Sequence, residues 1–181
     1  MPLVSTAVVV AGARSGTVVA FPTDTVPALA VLPGLGTKIY HLKQRPIHKP
    51  LVLMAASWSQ LQDFIQGSHP QWEQVVSDYL PGALTIVLPA REQDTIGMRI
   101  PQSTIALGIL QQTGPLLTTS ANTSGKTPLL TMTAIAAQFP SVLALGDQDP
   151  DRLWGSGQPS TVIKWEQDRW QVLRQGEVKY P

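Results

Sequence analysis

The apolar and polar positions of this chain change period many times, and each change marks a candidate element. Leu3 to Ala13 is mostly apolar, with Ser5 in a capping position and Gly16 beyond the end, which predicts a first helix. Ala11-Gly12-Ala13 also has the small-residue look of a signal cleavage site, but no Lys or Arg precedes it, and this favours the helix. Thr17 to Pro22 predicts a buried strand running into the polar turn Thr23-Asp24-Thr25. A helix over Thr37 to Lys43 is stopped by Pro46, and Leu51 to Met54 predicts the next strand. Ser57 then opens a helix to about Gln66, and Trp72 to Leu80 predicts another, ended by Pro81-Gly82. Leu84 to Leu88 and Thr95 to Ile100 predict strands, Gln102 to Gln112 a helix, and Leu116 to Thr119 a strand that feeds the loop Ser120-Ala121-Asn122. Thr131 to Gln138 reads as a helix, Val142 to Leu145 as a strand, and Asp147 to Gln158 as a loop rich in Gly, Asp and Pro. Thr161 to Ile163 and Trp170 to Leu173 are spaced as a terminal hairpin. Short strands mixed with helices imply an α/β protein with a mixed sheet, and no internal repeat or linker divides the 181 residues, so one domain is expected over 1–181.

Composition narrows the functional classes. Hydrophobic residues make up 43% and charged residues 14%, a globular balance. Cysteine is absent, which removes disulfides and Cys-based zinc sites, and His41, His48 and His69 lack the spacing of a tight metal site. No apolar run is long enough to span a bilayer, and a cytoplasmic location is expected. The net charge of +1 says little, but its distribution says more. No acid lies between Asp24 and Asp63, where Lys38, Lys43, Arg45 and Lys49 fall, and none lies between Asp94 and Asp147, where Arg99 and Lys126 fall. If these stretches face one cleft, it attracts phosphate; a solvated basic loop is the plainer meaning of such a run.

Three segments carry candidate chemistry. Ser120-Ala-Asn-Thr-Ser-Gly-Lys-Thr127 follows a strand and ends like a Walker A loop, but Ser stands where the first Gly is required and Pro128 follows at once. Its hydroxyls and amide can still donate to phosphate or carboxylate oxygens, or simply form a turn. In Lys43-Gln-Arg-Pro-Ile-His-Lys-Pro50 two prolines hold three cations out of a helix, with Arg45 suited to grip phosphate as a fork. Pro22-Thr23-Asp24-Thr25 sits at a strand end, where α/β sheets place ligand loops. No G-x-S-x-G elbow supports serine hydrolysis, and the acids gather in one loop rather than as a glycosidase pair.

Taken in order, the segments resemble the YrdC-like family, the threonylcarbamoyl-AMP synthases. The matching pieces are Phe21 to Thr25, Lys43-x-Arg45-Pro46 with Lys49-Pro50-Leu51, Pro81-Gly82-x-x-Thr85, Arg99-x-Pro101, Ser120-Ala-Asn122-x-Ser124-Gly125, Ser160-Thr161-Val162 and Leu173-Arg174-x-Gly176. Each is weak alone, but together they run in register from about Val18 to Gly176. The resemblance implies a twisted mixed parallel and antiparallel sheet with flanking helices around a deep electropositive groove. It implies a nucleotidyltransferase that joins L-threonine, bicarbonate and ATP into L-threonylcarbamoyl-adenylate for tRNA modification, with Mg²⁺ arriving on ATP and no tightly bound cofactor or protein metal site. By the same resemblance Lys43, Arg45, Lys49 and Arg174 screen the triphosphate, and Thr95, Ser120 and Asn122 complete the ATP side. Thr25, Thr118 and Ser160 line the threonine side, and Arg99 grips its carboxylate. No acid or base is apparent; Lys43, Arg45 and Lys49 would act electrostatically. Partners implied are tRNA or double-stranded RNA and downstream tRNA-modification proteins, and the alternative role is a non-catalytic paralogue that binds RNA in the same groove. The chain departs from the family pattern at Pro27 and Ala28, where an aromatic residue and Gly are usual, and at Pro159 and Lys164, near two usual acids. Pro27 is expected to remove a ring and a backbone N–H from the threonine side.

Overall fold

A computed structural model describes residues 3–149 and 151–181. The chain forms α1 (Thr6–Arg14), β1 (Val19–Phe21), β2 (Ala28–Val31), α2 (Thr37–Lys43), β3 (Val52–Met54), α3 (Trp58–Gln62), α4 (Pro70–Tyr79) and β4 (Leu84–Pro89). It continues with β5 (Thr95–Arg99), α5 (Thr104–Thr113), β6 (Leu116–Ser120), α6 (Met132–Gln138), β7 (Leu143–Ala144), β8 (Thr161–Glu166) and β9 (Arg169–Arg174). The nine strands make one sheet in the order β7-β1-β2-β6-β3-β5-β4-β8-β9. The pairs β1/β7, β3/β5 and β4/β8 are parallel and the other five antiparallel, so the sheet is mixed, as the element pattern implies.

Local chemistry explains most boundaries. Ser103 and Thr131 accept the N–H of Ala106 and Ala134 and start α5 and α6. His69 Nδ1 does the same for Gln71 N–H, and Pro70 fills the first turn of α4. α3 stops at Gln62, short of the expected Gln66, because the chain beyond it pairs with the end of β4. Gln66 N–H donates to Pro89 O at 2.9 Å and Arg91 Nε donates to Ile65 O at 2.9 Å. Strand β2 has no counterpart in the sequence pattern. Its Ala-Leu-Ala-Val run lacks alternation and is weak in intrinsic strand preference, and it is extended because β1 and β6 pair with it on both sides.

The alternation of side chains divides the sheet into two working faces. In β4, Leu84, Ile86 and Leu88 enter an apolar cluster with Ile96 and Met98 of β5 and Val75 and Val76 of α4. The intervening Thr85 and Val87, with Gly97 and Arg99 of β5, line a cavity on the opposite face. A second cluster joins Val9, Ala13, Ile109, Leu110 and Ile135 to β1 and β2. Between them the clusters fix β2, β4 and β5, which contribute residues to the site. Among the described residues no helix is long and apolar enough to cross a membrane.

Candidate active site

The cavity has a volume of about 450 Å³ and lies over β2, β6, β3, β5, β4 and β8. Strand register sets its floor: Val52 of β3 pairs with both Thr118 of β6 and Gly97 of β5, and Gly97 pairs in turn with Val87 of β4. A Cβ at Gly97 would meet methyl groups of Thr85, Val52 and Val87 at 3.6–3.8 Å, so the floor is an apolar shelf opened by a missing side chain. The rim is cationic. Arg45, Lys49, Arg99 and Arg174 line the cavity, and no Asp or Glu is among its described lining residues.

At one end, Arg99 is 4% exposed and fully organised. Its Nε donates to Gly82 O at 2.9 Å, Nη1 to Thr25 Oγ1 at 2.7 Å and Nη2 to Asp24 Oδ1 at 2.7 Å. Burial pushes the guanidinium below its ordinary value, and Asp24, with Glu177 further off, pulls it back. Thr23 Oγ1 donates to Val26 O and accepts from Thr25 N–H, which ties the 23–26 turn to itself. Beside it, the Ser160 and Thr85 hydroxyls lie 2.8 Å apart, and Arg174 Nη2 donates to Ser160 O at 2.7 Å. Burial and the Arg99 charge both push the Arg174 guanidinium down.

At the other end, the loop after α2 folds back over the floor. Gln44 turns the chain with φ of 51°, and Arg45 then reaches its own loop, with Nε donating to Lys49 O and Nη2 to Pro50 O, each at 3.0 Å. This holds Arg45, His48 and Lys49 at the cavity mouth. Burial pushes the Arg45 guanidinium down from its ordinary value. Ser120, from the end of β6, lines the same cavity, so the basic segment and the Ser120 loop share one face.

The structure brings nine of the eleven residues singled out in the sequence to the cavity wall: Thr25, Arg45, Lys49, Thr95, Arg99, Thr118, Ser120, Ser160 and Arg174. Lys43 and Asn122 stand behind it. Lys43 is 1% exposed, and its Nζ donates to Ser120 O, to Thr119 Oγ1 at 3.1 Å and to Asn122 Oδ1 at 3.4 Å. Asn122 accepts from Ser120 Oγ at 2.6 Å and donates to Thr123 O and Lys126 O. In this arrangement the two build the Ser120 loop from beneath. Thr118 likewise donates its hydroxyl to Val52 O at 2.9 Å. Pro27 does not face the cavity; its carbonyl accepts Ala121 N–H at 2.9 Å, while Val26 and Ala28 form the wall on either side. Pro159 lines the wall, and Lys164 pairs with Glu166 at 2.7 Å on β8.

Thr23, His48 and Thr85 lie in segments singled out in the sequence but without a site role of their own, and Gly97 was not singled out. Gly97 was legible: with Thr95 and Arg99 chosen, a period of two places residue 97 on the same face. The Thr85–Ser160 contact joins residues 75 apart and required the β4/β8 register.

Burial and the Arg45 charge push the Lys43 amine down to about 7 from its ordinary 10.5, against three oxygen acceptors that favour the ammonium. The unfolded chain therefore binds more protons between about 7 and 10.5, and stability rises with pH across that window, with the full penalty present below it. The slope reaches about 1.4 kcal/mol per pH unit at most. Urea unfolding from pH 7 to 9 is expected to show this rise in the wild type and to lack it in Lys43→Met. Parallel curves for the two proteins would show that Lys43 does not titrate there.

Comparison with known proteins places this geometry. The pattern of the Sua5/YciO/YrdC family, described as "Telomere recombination", matches residues 12–176, and the chain belongs to that family. It is 32% identical over 180 residues to the threonylcarbamoyl-AMP synthase of Bacillus subtilis strain 168, covering 91% of this chain and 51% of the relative. It is 33% identical over 155 residues to the protein of the same name from Klebsiella pneumoniae, covering 77% of this chain and 81% of the relative. The chain thus spans about half the length of the first relative and most of the second. The crystal structure of P. abyssi Sua5 complexed with L-threonine matches with a TM-score of 0.84 and 28% identity, over 94% of this chain and 54% of that one. E. coli YciO shares the fold at a TM-score of 0.75 and 23% identity, over 95% and 90% of the two chains.

Proposed function

We propose that the chain is a single YrdC-like domain acting as a threonylcarbamoyl-AMP synthase, which makes L-threonylcarbamoyl-adenylate from L-threonine, bicarbonate and ATP. The observation that carries this reading is the cavity itself: four cations, no carboxylate among its described lining residues, and an apolar shelf between the charged ends. Such a site suits a polyanion with a flat or apolar portion. The names of the curated relatives, and the threonine bound to the Sua5 neighbour, favour the catalytic reading over an RNA-binding one.

In this reading the Thr25–Arg99–Ser160 end takes threonine, and Arg99, already oriented by Asp24, holds its carboxylate. The amine of threonine attacks the carbon of bicarbonate, forming the N–C bond of a carbamate and releasing water. A carbamate oxygen then attacks the α-phosphorus of ATP, and the bond to the β-phosphate oxygen breaks to release pyrophosphate. Arg45, Lys49 and Arg174 screen the charge that grows on the leaving group, and Ser120 and Thr95 flank the nucleotide. Lys43 and Asn122 act through Ser120 by holding its loop. Mg²⁺ enters on the triphosphate, whose oxygens suit a hard cation. Positioning supplies the rest, since two substrates held in attack geometry need little further activation. The product passes to tRNA and the proteins that modify it, in the cytoplasm.

The test is pyrophosphate release by the purified chain with Mg-ATP, bicarbonate and L-threonine, each left out in turn. Release is expected to require all of them. Release that ignores threonine, or none with the complete mixture, would overturn the reading.

A further inference from the structure

Residues 154–157, which the reaction does not use, are folded against the back of the threonine end. Trp154 N–H donates to Leu130 O, Ser156 N–H to Asp24 O and Gly157 N–H to Thr25 O, each at 2.9 Å. Between the last two bonds lies Gly155, with φ of 74°. A Cβ there would overlap Thr25 O, lie 2.5 Å from Thr25 C and 3.1 Å from Thr23 O. Backbone cannot yield as a flexible side chain can, so the position excludes any side chain on two independent grounds, sterics and a left-handed φ. The strap is pinned at its far side. Ser156 Oγ donates to Glu177 Oε2 at 2.5 Å, and Glu177 N–H donates to Pro159 O at 3.0 Å.

The carbonyls that the strap captures belong to the two residues that orient Arg99. Asp24 supplies the carboxylate and Thr25 the hydroxyl that receive its Nη2 and Nη1. Without the strap, the 23–26 turn keeps the bonds through Thr23 Oγ1 on its own length and those that Arg99 itself donates, but loses its backbone anchors at Asp24 O and Thr25 O. We infer that the 154–157 strap positions the amino-acid end of the cavity, with Gly155 as the positioning residue that lets it sit directly on Thr25. The inference rests on the assignment of that end to threonine. The strap's bonds go to Leu130, Asp24, Thr25 and Glu177 and to none of the residues assigned to ATP, Arg45, Lys49, Ser120 and Arg174, so its effect is selective for one substrate.

The experiment is Gly155→Ala in the full chain, with three readouts: KM for L-threonine, KM for ATP, and hydrogen exchange of peptides covering 22–28. The threonine KM is expected to rise about tenfold or more, because displacement of a clamp by a fraction of an ångström to 1 Å is felt at that level. The ATP KM is expected to stay within about twofold, and exchange at 22–28 to quicken about tenfold while β3 to β5 keep their protection. If Gly155→Ala does not fold, Ser156→Ala removes the pin to Glu177 and the bond that Ser156 Oγ accepts from Gln158 N–H, keeps the backbone bond to Asp24 O, and is expected to move the same readouts the same way, by about threefold. Equal rises in both KM values, or unchanged exchange at 22–28, would overturn the proposal. A wild-type chain with no threonine-dependent pyrophosphate release would instead defeat the synthase reading, and the exchange measurement would still decide the strap.

Discussion

Arg99→Met is expected to lower the free energy of unfolding by about 3–5 kcal/mol, because it removes one partner of a buried ion pair and leaves the other behind. The side chains of Arg99 and Asp24 are only 5% and 16% exposed, and their contact is 2.7 Å. Methionine fills much of the volume of arginine but donates nothing, so Gly82 O and Thr25 Oγ1 also lose their donor. Turnover with threonine is expected to disappear with the guanidinium. Adding Asp24→Asn separates the two roles: it removes the stranded charge and is expected to recover part of the lost stability without restoring turnover. Urea unfolding of the wild type, the single variants and the double variant gives the coupling directly. If the double variant is no more stable than Arg99→Met alone, the pair is not the support that its geometry indicates.

The second large effect belongs to the opposite end. Arg45→Ala is expected to weaken ATP binding by about 1.5–3 kcal/mol, roughly ten- to a hundredfold, the range of a charge-assisted contact. The structure adds a reason that charge alone does not give. Two of the guanidinium's N–H groups hold Lys49 O and Pro50 O, so alanine also releases the loop that carries His48 and Lys49 to the cavity mouth. Arg45→Lys keeps the charge but cannot bridge two carbonyls and face phosphate at once, and it is expected to fall between the wild type and Arg45→Ala. Calorimetry with Mg-ATP measures both. Unchanged affinity in the two variants would remove the 45–50 loop from the ATP end.

How much of this was legible from residues alone depends on how local the cause is. The strand-end motifs were, because Pro22 to Thr25 and Ser120 to Asn122 set small polar residues where an apolar strand stops, and Ser160 to Val162 sets them where one starts. Helices α5 and α6 were too, as the expected spans Gln102 to Gln112 and Thr131 to Gln138, although the capping residues Ser103 and Thr131 fall inside those spans. Strand β2 was not, because its extended state comes from neighbours on both sides. The end of α3 was hidden for the same reason, as Pro89, distant in sequence, captures Gln66. At the site, the sequence placed Lys43 among the phosphate-facing cations, whereas the structure turns it inward onto the β6 loop. Direction of that kind follows from the rotation of α2 against β6, which spacing does not encode. The strap is the clearest case: a Gly- and Asp-rich stretch reads as an ordinary loop, and only the approach of its backbone to Thr25 gives Gly155 a role.

A cavity that joins threonine, bicarbonate and ATP must release a product that carries parts of all three, and that product can be weighed. The purified chain is incubated with Mg-ATP, L-threonine and ¹³C-bicarbonate, and the nucleotide fraction is analysed by mass spectrometry. An adenylate whose mass contains both threonine and the labelled carbon is expected from the wild type and not from Arg99→Met. An adenylate of threonine without the labelled carbon, or ATP recovered unchanged beside a chain that binds it, would rule out this reaction.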